Sequence, residues 1–447
     1  MKNRKTWIIV VGFLIVVAVG VGGFQQRMDF VGVDASSVPW AGPRPFWSTI
    51  IDYNDQGVLL YPERVIQTAE GGYAVLCRIT SQNGTIWLGQ FDAQGMLLWE
   101  HIYKIDYRWG AGAPRGFYQC ADGGFAVIGI TPNIQGDWTH FLIRTEADGT
   151  LRWKMMFPLL SSNIDQHGSS VIECTDGGFI MTGWRESEVF LHRINPDGEY
   201  LWHQVYPASG QKDVDLVQCA DTGFALAGKN STDYIFLARI NSTGGVLWKQ
   251  SYTFPGAVQG LRLSGMKLTN DNGFILYGQT YGQGPNSDAL DIYLLRTDMN
   301  GSEQWNYTYG GPLSDIVNDV VQCTDEGFVL IGSTWRSGLD LRDIWLVRTN
   351  ATGIQNWNCT YPDHLPKGTW GVGILEPEPE VLVICADIWK SSSSLWLFSI
   401  PDVSPPDPNL PFLGIPPELI PAIAIGLAVV VIIVIFAFMW ILRQRRM

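Results

Sequence analysis

Between the first and last forty or so residues, the chain alternates short β-branched and aromatic runs with polar, glycine-bearing turns. No segment there holds a long 3.6-residue apolar period, so the pattern predicts strands rather than helices. Asp-Gly-Gly and Asp-x-x-Gly supply the positive φ that tight hairpins need. Two apolar runs bracket this region. Met1-Lys2-Asn3-Arg4-Lys5 leads into Trp7 to Phe24, which predicts a signal peptide or a signal-anchor helix over 1–24. Ile420 to Leu442 carries no charge and is followed by Arg443, Arg445 and Arg446. At ~1.5 Å per residue it is long enough to cross a ~30 Å hydrocarbon core. The expectation is a transmembrane helix over 420–442 and a cytoplasmic basic tail over 443–447. The Pro-rich 401–419 reads as an extended stalk. Basic residues on the outer flank of each run place both tails in the cytoplasm and the strand-rich body outside.

The body is a repeat. Gln-Cys-Ala-Asp-Gly-Gly-Phe at 119–125 recurs as Glu-Cys-Thr-Asp-Gly-Gly-Phe at 173–179, Gln-Cys-Ala-Asp-Thr-Gly-Phe at 218–224 and Gln-Cys-Thr-Asp-Glu-Gly-Phe at 322–328. Looser copies lie at 67–73 and 268–274, and a degenerate one at 376–384. Aligning Gly72, Gly124, Gly178, Gly223, Gly273 and Gly327, with Glu380 in the last place, gives seven units at steps of 45 to 54 residues. Each of the first six has a second half of the same form, such as Ile344 to Arg348 leading through Gly353 to Trp357 and Tyr361, or Ile86 to Gln90 leading to Trp99 and Tyr103. Two hairpins per unit and seven units predict an all-β, seven-bladed β-propeller of four-stranded antiparallel blades over 46–400, with hydrophobic helices at both termini. A linear β-solenoid is the alternative. The seventh unit ends at its third strand, Ser394 to Ile400, without the Trp-bearing fourth. Trp47 to Tyr53 resembles that missing strand, so it is expected to lie beside the strand of Trp396 and close the ring.

The wording of the units resembles a repeat of archaeal and bacterial cell-surface propellers: Asp-Gly-Gly-Phe, Gly, Asp-x-Trp-Leu-Val-Arg-Thr, Gly, then Trp and Tyr. The resemblance covers about residues 46–400 and implies a secreted or anchored protein, with no common activity attached to it. The Asp-x-x-Gly-x-x-x-Trp turn, as in Asp92 to Trp99, also looks like the tryptophan-docking turn of quinoprotein propellers. Those usually have eight blades and a quinone pocket. With seven units and no pocket signature here, no cofactor is expected.

The formal net charge of −13 argues against a phosphate-binding footprint, so nucleic acid is not an expected partner. N-x-Ser/Thr sequons at Asn83, Asn230, Asn241, Asn300, Asn306, Asn350 and Asn358 are candidate glycosylation sites in an exterior domain. Cys120, Cys174, Cys219 and Cys323 share one repeat position, and Cys77 and Cys385 share another. They read either as small apolar fillers or, for Cys77 and Cys385, as a bond stapling the ring. No Cys or His spacing fits zinc, and no metal is expected.

In a four-stranded blade the short first and third turns share one face, and the long variable connections share the other. Variable loops on a rigid scaffold are where binding residues sit. Those loops carry Tyr107, Trp109, Trp138, Trp184, Tyr281, Trp335, Trp370 and Trp389, candidate binding residues beside Arg and Asp. Each is weighed against packing as a hydrophobic lid. Asp288 with Asp291, Asp340 with Asp343, and Asp315 with Asp319 read as exposed, solvated pairs rather than calcium loops. Arg144, Arg193, Arg239, Arg296 and Arg348 read as structural, pairing with acids between blades. There is no Gly-x-Ser-x-Gly, His-Glu-x-x-His or phosphate loop, the six histidines are scattered over different units, and no catalytic residue is assigned. The expected function is membrane-anchored binding or adhesion at the cell surface, with glycan, peptide or another surface protein as ligand. The alternative is an extracellular hydrolase or lyase at the channel mouth.

Overall fold

The computed structural model describes residues 46–402, apart from 54–56, 81–84, 106–112, 133–137, 158–166, 186–187, 208–213, 230–233, 255–260, 282–288, 312, 337–340, 362–367 and 390–392. The expected signal segment, most of the stalk, the transmembrane helix and the basic tail lie outside the described residues. Among the described residues, no helix is long and apolar enough to cross a membrane.

Seven four-stranded antiparallel sheets form a propeller. The first strand of each blade is innermost: Leu60–Gln67, Ala113–Gln119, His167–Glu173, Val214–Gln218, Arg262–Leu268, Asp315–Gln322 and Thr369–Glu378. These strands touch their neighbours round a closed cycle, blade seven against blade one included. Second and third strands are almost wholly buried, as between Phe125–Pro132 and Trp138–Thr145. They are apolar on both faces because each face packs on a neighbouring blade. Outer strands such as Leu151–Met156 and Val246–Tyr252 are mostly exposed.

The ring closes as the truncated seventh unit requires. Trp47–Ile51 pairs antiparallel with Ser393–Pro401 as the outer strand of blade seven. Trp47 stands opposite Ser399 and Ile50 opposite Trp396, whose indole donates to the Ser48 hydroxyl at 2.8 Å. The strand stops at Ile51, and Tyr53 forms a lone bridge with Val58.

One contact repeats from blade to blade. The outer-strand Trp of one blade lies on the glycine of the third turn of the next: Trp47 on Gly95, Trp99 on Gly149, Trp202 on Gly244, Trp248 on Gly301 and Trp305 on Gly353. The Tyr four residues later clasps the same glycine, its hydroxyl donating to the carbonyl of Gly149 (Tyr103), Gly244 (Tyr206), Gly301 (Tyr252) and Gly353 (Tyr309) at 2.5–2.6 Å. At the seam Thr49 takes that role, donating to Gly95 at 2.6 Å. These turns need glycine twice over. At Gly149 φ is +80°, and a Cβ would lie 2.5 Å from the Trp99 and His101 rings. Gly71 has φ +85° with open space around it. Gly149→Ala is therefore expected to cost about 2–4 kcal/mol and Gly71→Ala about 1, read from urea midpoints. Equal losses would show that the indole contact adds nothing.

The repeated arginines correct the sequence expectation. They are buried, and they pair with the Asp of the first turn of their own blade: Arg144 with Asp122, Arg193 with Asp176, Arg239 with Asp221, Arg296 with Asp271 and Arg348 with Asp325. The other guanidinium nitrogen caps the carbonyl ending the third strand, as Arg296 does at Thr297 at 2.9 Å. The hydrogen bond from Arg296 leads in pulling the Asp271 carboxyl down to about 2. Two also reach across blades: Arg348 to Asp402 at 2.9 Å, and Arg144 over the Phe179 ring of blade three at 5.9 Å. Blade seven shifts the alignment by one residue. Glu380 has φ +63° and so stands with Glu326 (φ +68°) rather than with Gly327.

All seven cysteines are thiols. Cys77 and Cys385 pack in one apolar cluster across the seam without a bond, which settles their alternative in favour of filler.

Candidate functional site

Six of the seven inner strands carry a β-bulge at one height, at Pro62/Arg64, Pro114/Gly116, Gly168/Ser170, Leu263/Gly265, Val317/Asp319 and Gly371/Gly373. A bulge re-aims side chains and sharpens local twist, so it gives the channel wall a belt of redirected residues, Glu63 and Asn318 among them. Inner strands are also sheet edges, whose channel-side amides lack a ladder partner. Neighbouring blades supply one. Asp215 accepts the Met266 amide at 2.9 Å and Asp319 that of Ile374 at 3.1 Å, while Asn318 donates to the Gly371 carbonyl at 2.5 Å.

The described acids singled out from sequence are accordingly not solvated. Asp291, Asp315 and Asp343 are buried. Asp319 binds Lys267 at 2.6 Å, Asp343 takes a two-oxygen hydrogen bond from Arg336 at 2.8 Å, and burial holds the Asp315 carboxyl above its usual range. Asp288 and Asp340 lie outside the described residues.

At the seam the belt opens into a pocket of about 260 Å³. Blade one contributes Tyr61, Pro62, Glu63, Arg64 and Arg78, blade six Asn318, and blade seven Trp370, Val372 and Asp387. Several of these stand near the variable-loop ends of their strands, and the pocket lies toward that face. Glu63 accepts from Arg78 at 3.0 Å, and the Arg78 guanidinium lies 4.9 Å from the Tyr61 ring centre. Burial pushes the Asp387 carboxyl up to about 6, against hydrogen bonds from Ser393, Trp389 and the Ser394 amide and the charge of Arg78. The Ser393 hydroxyl sits 2.5 Å from Asp387 and 2.6 Å from the Leu60 carbonyl. A protonated Asp387 can donate to that hydroxyl while the hydroxyl donates onward, so both charge states have partners.

Of the aromatic candidates, three gather here. Trp335 and Trp370 sandwich the Arg342 guanidinium at 3.8 and 4.2 Å. Trp370 stands opposite Asp387, and Trp389 is two residues on, so all three leave the same face of blade seven. Trp370 is 38% and Trp389 46% exposed. Trp184 is a lid, packed half-buried on the cluster between blades three and four. Trp138 is half-buried in blade two, opposite Pro132. Tyr107, Trp109 and the Tyr281 side chain lie outside what is described, as do Asn83 and Asn230. Asn241, Asn300, Asn306, Asn350 and Asn358 all sit in third turns or outer strands of blades four to six, and Asn241 and Asn350 cap their turns through their own side-chain oxygens.

Sequence reasoning missed Tyr61, Arg64, Arg78, Asn318 and Asp387. One signal was present. Blades two to six place Gly129, Gly183, Gly228, Gly278 and Gly332 where blades one and seven have Cys77 and Cys385. Arg78 and Asp387 then interrupt the apolar second strands of those two blades. Two of the histidines, His140 of blade two and His192 of blade three, are buried and stack at 5.0 Å. On the short-turn face, Cys323, Glu376 and Asp402 bring possible metal-ligand atoms within 4.8 Å of one another. Arg348 already supplies the positive charge beside them.

No protein-family model and no curated protein sequence matches the chain. Among solved structures it is similar to the WD40 domain of Neurospora crassa Pan2, at 12% identity over 85% of this chain and 99% of that one, with a TM-score of 0.51. It is also similar to the BP39L lectin from Burkholderia pseudomallei, at 10% identity over 76% and 98%, with a TM-score of 0.52. At such identities the likeness shows the propeller fold alone.

Proposed function

We propose that this protein is a membrane-anchored cell-surface binding protein that engages a glycan, peptide or surface protein through its variable-loop face. The observation that carries the reading is the Trp335–Arg342–Trp370 stack with exposed Trp389 around the seam pocket. Stacked aromatics held by a guanidinium are rigid, amphipathic anchors that lose little entropy on binding. The chain ends support the orientation. Phe46 bonds to Ser399, and Asp402 to Glu380 in the first turn of blade seven, so both ends of the described chain leave from the short-turn face. With anchors beyond those ends, the loop face would point away from the membrane. A lectin among the structural neighbours is compatible with a glycan ligand.

A glycan array and a cell-surface pulldown with a fragment spanning 30–402 test the reading. Binding is expected, with at least a ~10-fold loss in a Trp335→Ala/Trp370→Ala variant that keeps its melting temperature. Absence of any ligand would reduce the protein to a structural element of the envelope.

A second reading, a hydrolase or lyase, draws on Asp387, a buried acid titrating near 6 at the channel mouth. Glycosidic hydrolysis generally needs a second carboxylate, and Glu63, the other acid of the pocket, is held by Arg78. Turnover of an extracellular polymer, lost in Asp387→Asn, would favour the enzyme.

A further inference from the structure

Among the described residues, the seam pocket brings donors, acceptors and an aromatic wall to one place. Its lining includes two guanidinium groups, Arg64 and Arg78, and two carboxyl groups, Glu63 and Asp387, with the Asn318 amide of blade six. Arg78 holds Glu63, and the Arg64 charge also reaches Asp215 of blade four. That set is balanced in charge. An anionic ligand would need donors in excess, and a cation would need acceptors or an open aromatic cage. Here Arg342 already covers one face of Trp370. Ligand hydroxyls, each both donor and acceptor, match a mixed set. A volume of about 260 Å³ is below that of drug-sized pockets and fits one small ring. The exposed indoles of Trp370 and Trp389 flank the mouth, where the apolar face of a pyranose could lie flat.

We infer that this pocket, between blades six, seven and one, binds a single neutral hexopyranose residue of a glycan, its hydroxyls on Arg64, Arg78, Glu63 and Asn318 and its apolar face on Trp370. The inference rests on the proposed glycan-binding reading and names the subsite and ligand class within it.

The test uses the full-length protein in detergent and four probes: methyl hexopyranosides, a methyl hexuronoside, a free amino acid, and the best glycan from an array. A methyl hexopyranoside is expected to bind at about pH 7.5 and to displace the glycan, and the hexuronoside and amino acid are expected to bind at least ~10-fold more weakly. Trp370→Ala and the milder Arg64→Gln, both checked by thermal melting, are each expected to weaken the hexoside ~10-fold or more. Tighter binding of the hexuronoside or amino acid would overturn the ligand class. Glycan binding that ignores both substitutions would overturn this pocket, and Trp370 as the anchor, while leaving glycan binding elsewhere on the loop face. Failure of every sugar and every glycan would overturn this subsite and the glycan branch of the proposed reading, leaving a peptide or protein ligand to the cell-surface pulldown.

Discussion

A fragment beginning at Val58 and ending at Asp402 is expected to aggregate, whereas one beginning at Phe46 runs as a monomer. The difference is the outer strand of the seventh blade. Removing Trp47–Ile51 uncovers the third strand, Ser393–Pro401, along its whole edge. That strand reads Leu395-Trp396-Leu397-Phe398-Ser399-Ile400, uncharged and rich in β-formers, the composition that pairs edge to edge with other chains. Its Leu395 and Leu397 are fully buried while the ring is closed. The loss also empties the Gly95 turn of its indole and removes Ile51 from the seam core. Trp47→Ala isolates the indole. Trp47 is half-buried and sits 5.8 Å from the Tyr73 ring, so a loss of about 2–4 kcal/mol is expected, with the chain still monomeric. Light scattering after size exclusion and thermal melting read both variants. A Val58 fragment that stays monomeric with an unchanged melt would show that the ring does not depend on its clasp.

Periodicity made the ring legible. Turn glycines, docking tryptophans and the missing fourth strand of the last unit are each local features, and together they fix blade number and closure. Trp47 could be placed because the seventh unit lacked a partner for its third strand. The pairing of the arginines was misjudged because position in a repeat does not tell whether a guanidinium turns back to its own turn or forward to the next blade. Arg348 does both. The paired acids were misjudged for a related reason. Asp319, like Asp215, which sequence reasoning did not single out, answers an orphan amide on the next inner strand, and such amides arise from edges and bulges that leave no mark in composition. The seam pocket is assembled from three blades, with Asp387 far in sequence from Arg78. The Cys77 and Cys385 substitutions marked the two blades as different without indicating what the difference makes room for. Trp335, Trp370 and Trp389 were visible as loop aromatics, but their convergence depends on how blade seven packs on blade six, and the closure onto blade one adds the other wall of the pocket.

Acid is expected to act on this fold through buried groups of opposite sign, His140 and Asp387 foremost. His140 is fully buried against Phe157, Phe190 and His192, and neither of its ring nitrogens has a hydrogen-bond partner. Burial, with the neighbouring His192 charge, holds its pKa well below 6.5. Unfolding frees it to take a proton, so its share of stability is present above about pH 6.5 and falls as pH drops, by up to ~1.4 kcal/mol per unit. Asp387 works the other way. Raised from 3.8 to about 6, it favours the folded state fully below about 3.8, and that gain is lost as pH rises through about 6. The span corresponds to about 3 kcal/mol. In the parent chain the two slopes oppose each other between about pH 6 and about pH 4, so its own stability profile says little. The single variants separate them. Measured by urea unfolding from about pH 7.5 to about pH 4.5, His140→Phe should gain on the parent by ~2–3 kcal/mol, and Asp387→Asn should lose on it by a similar amount. Parallel profiles for parent and His140→Phe would mean that protonation of the blade-two histidine is accommodated in the native ring, with Tyr200 and His203, which also lie near His192, free to move and let water reach it.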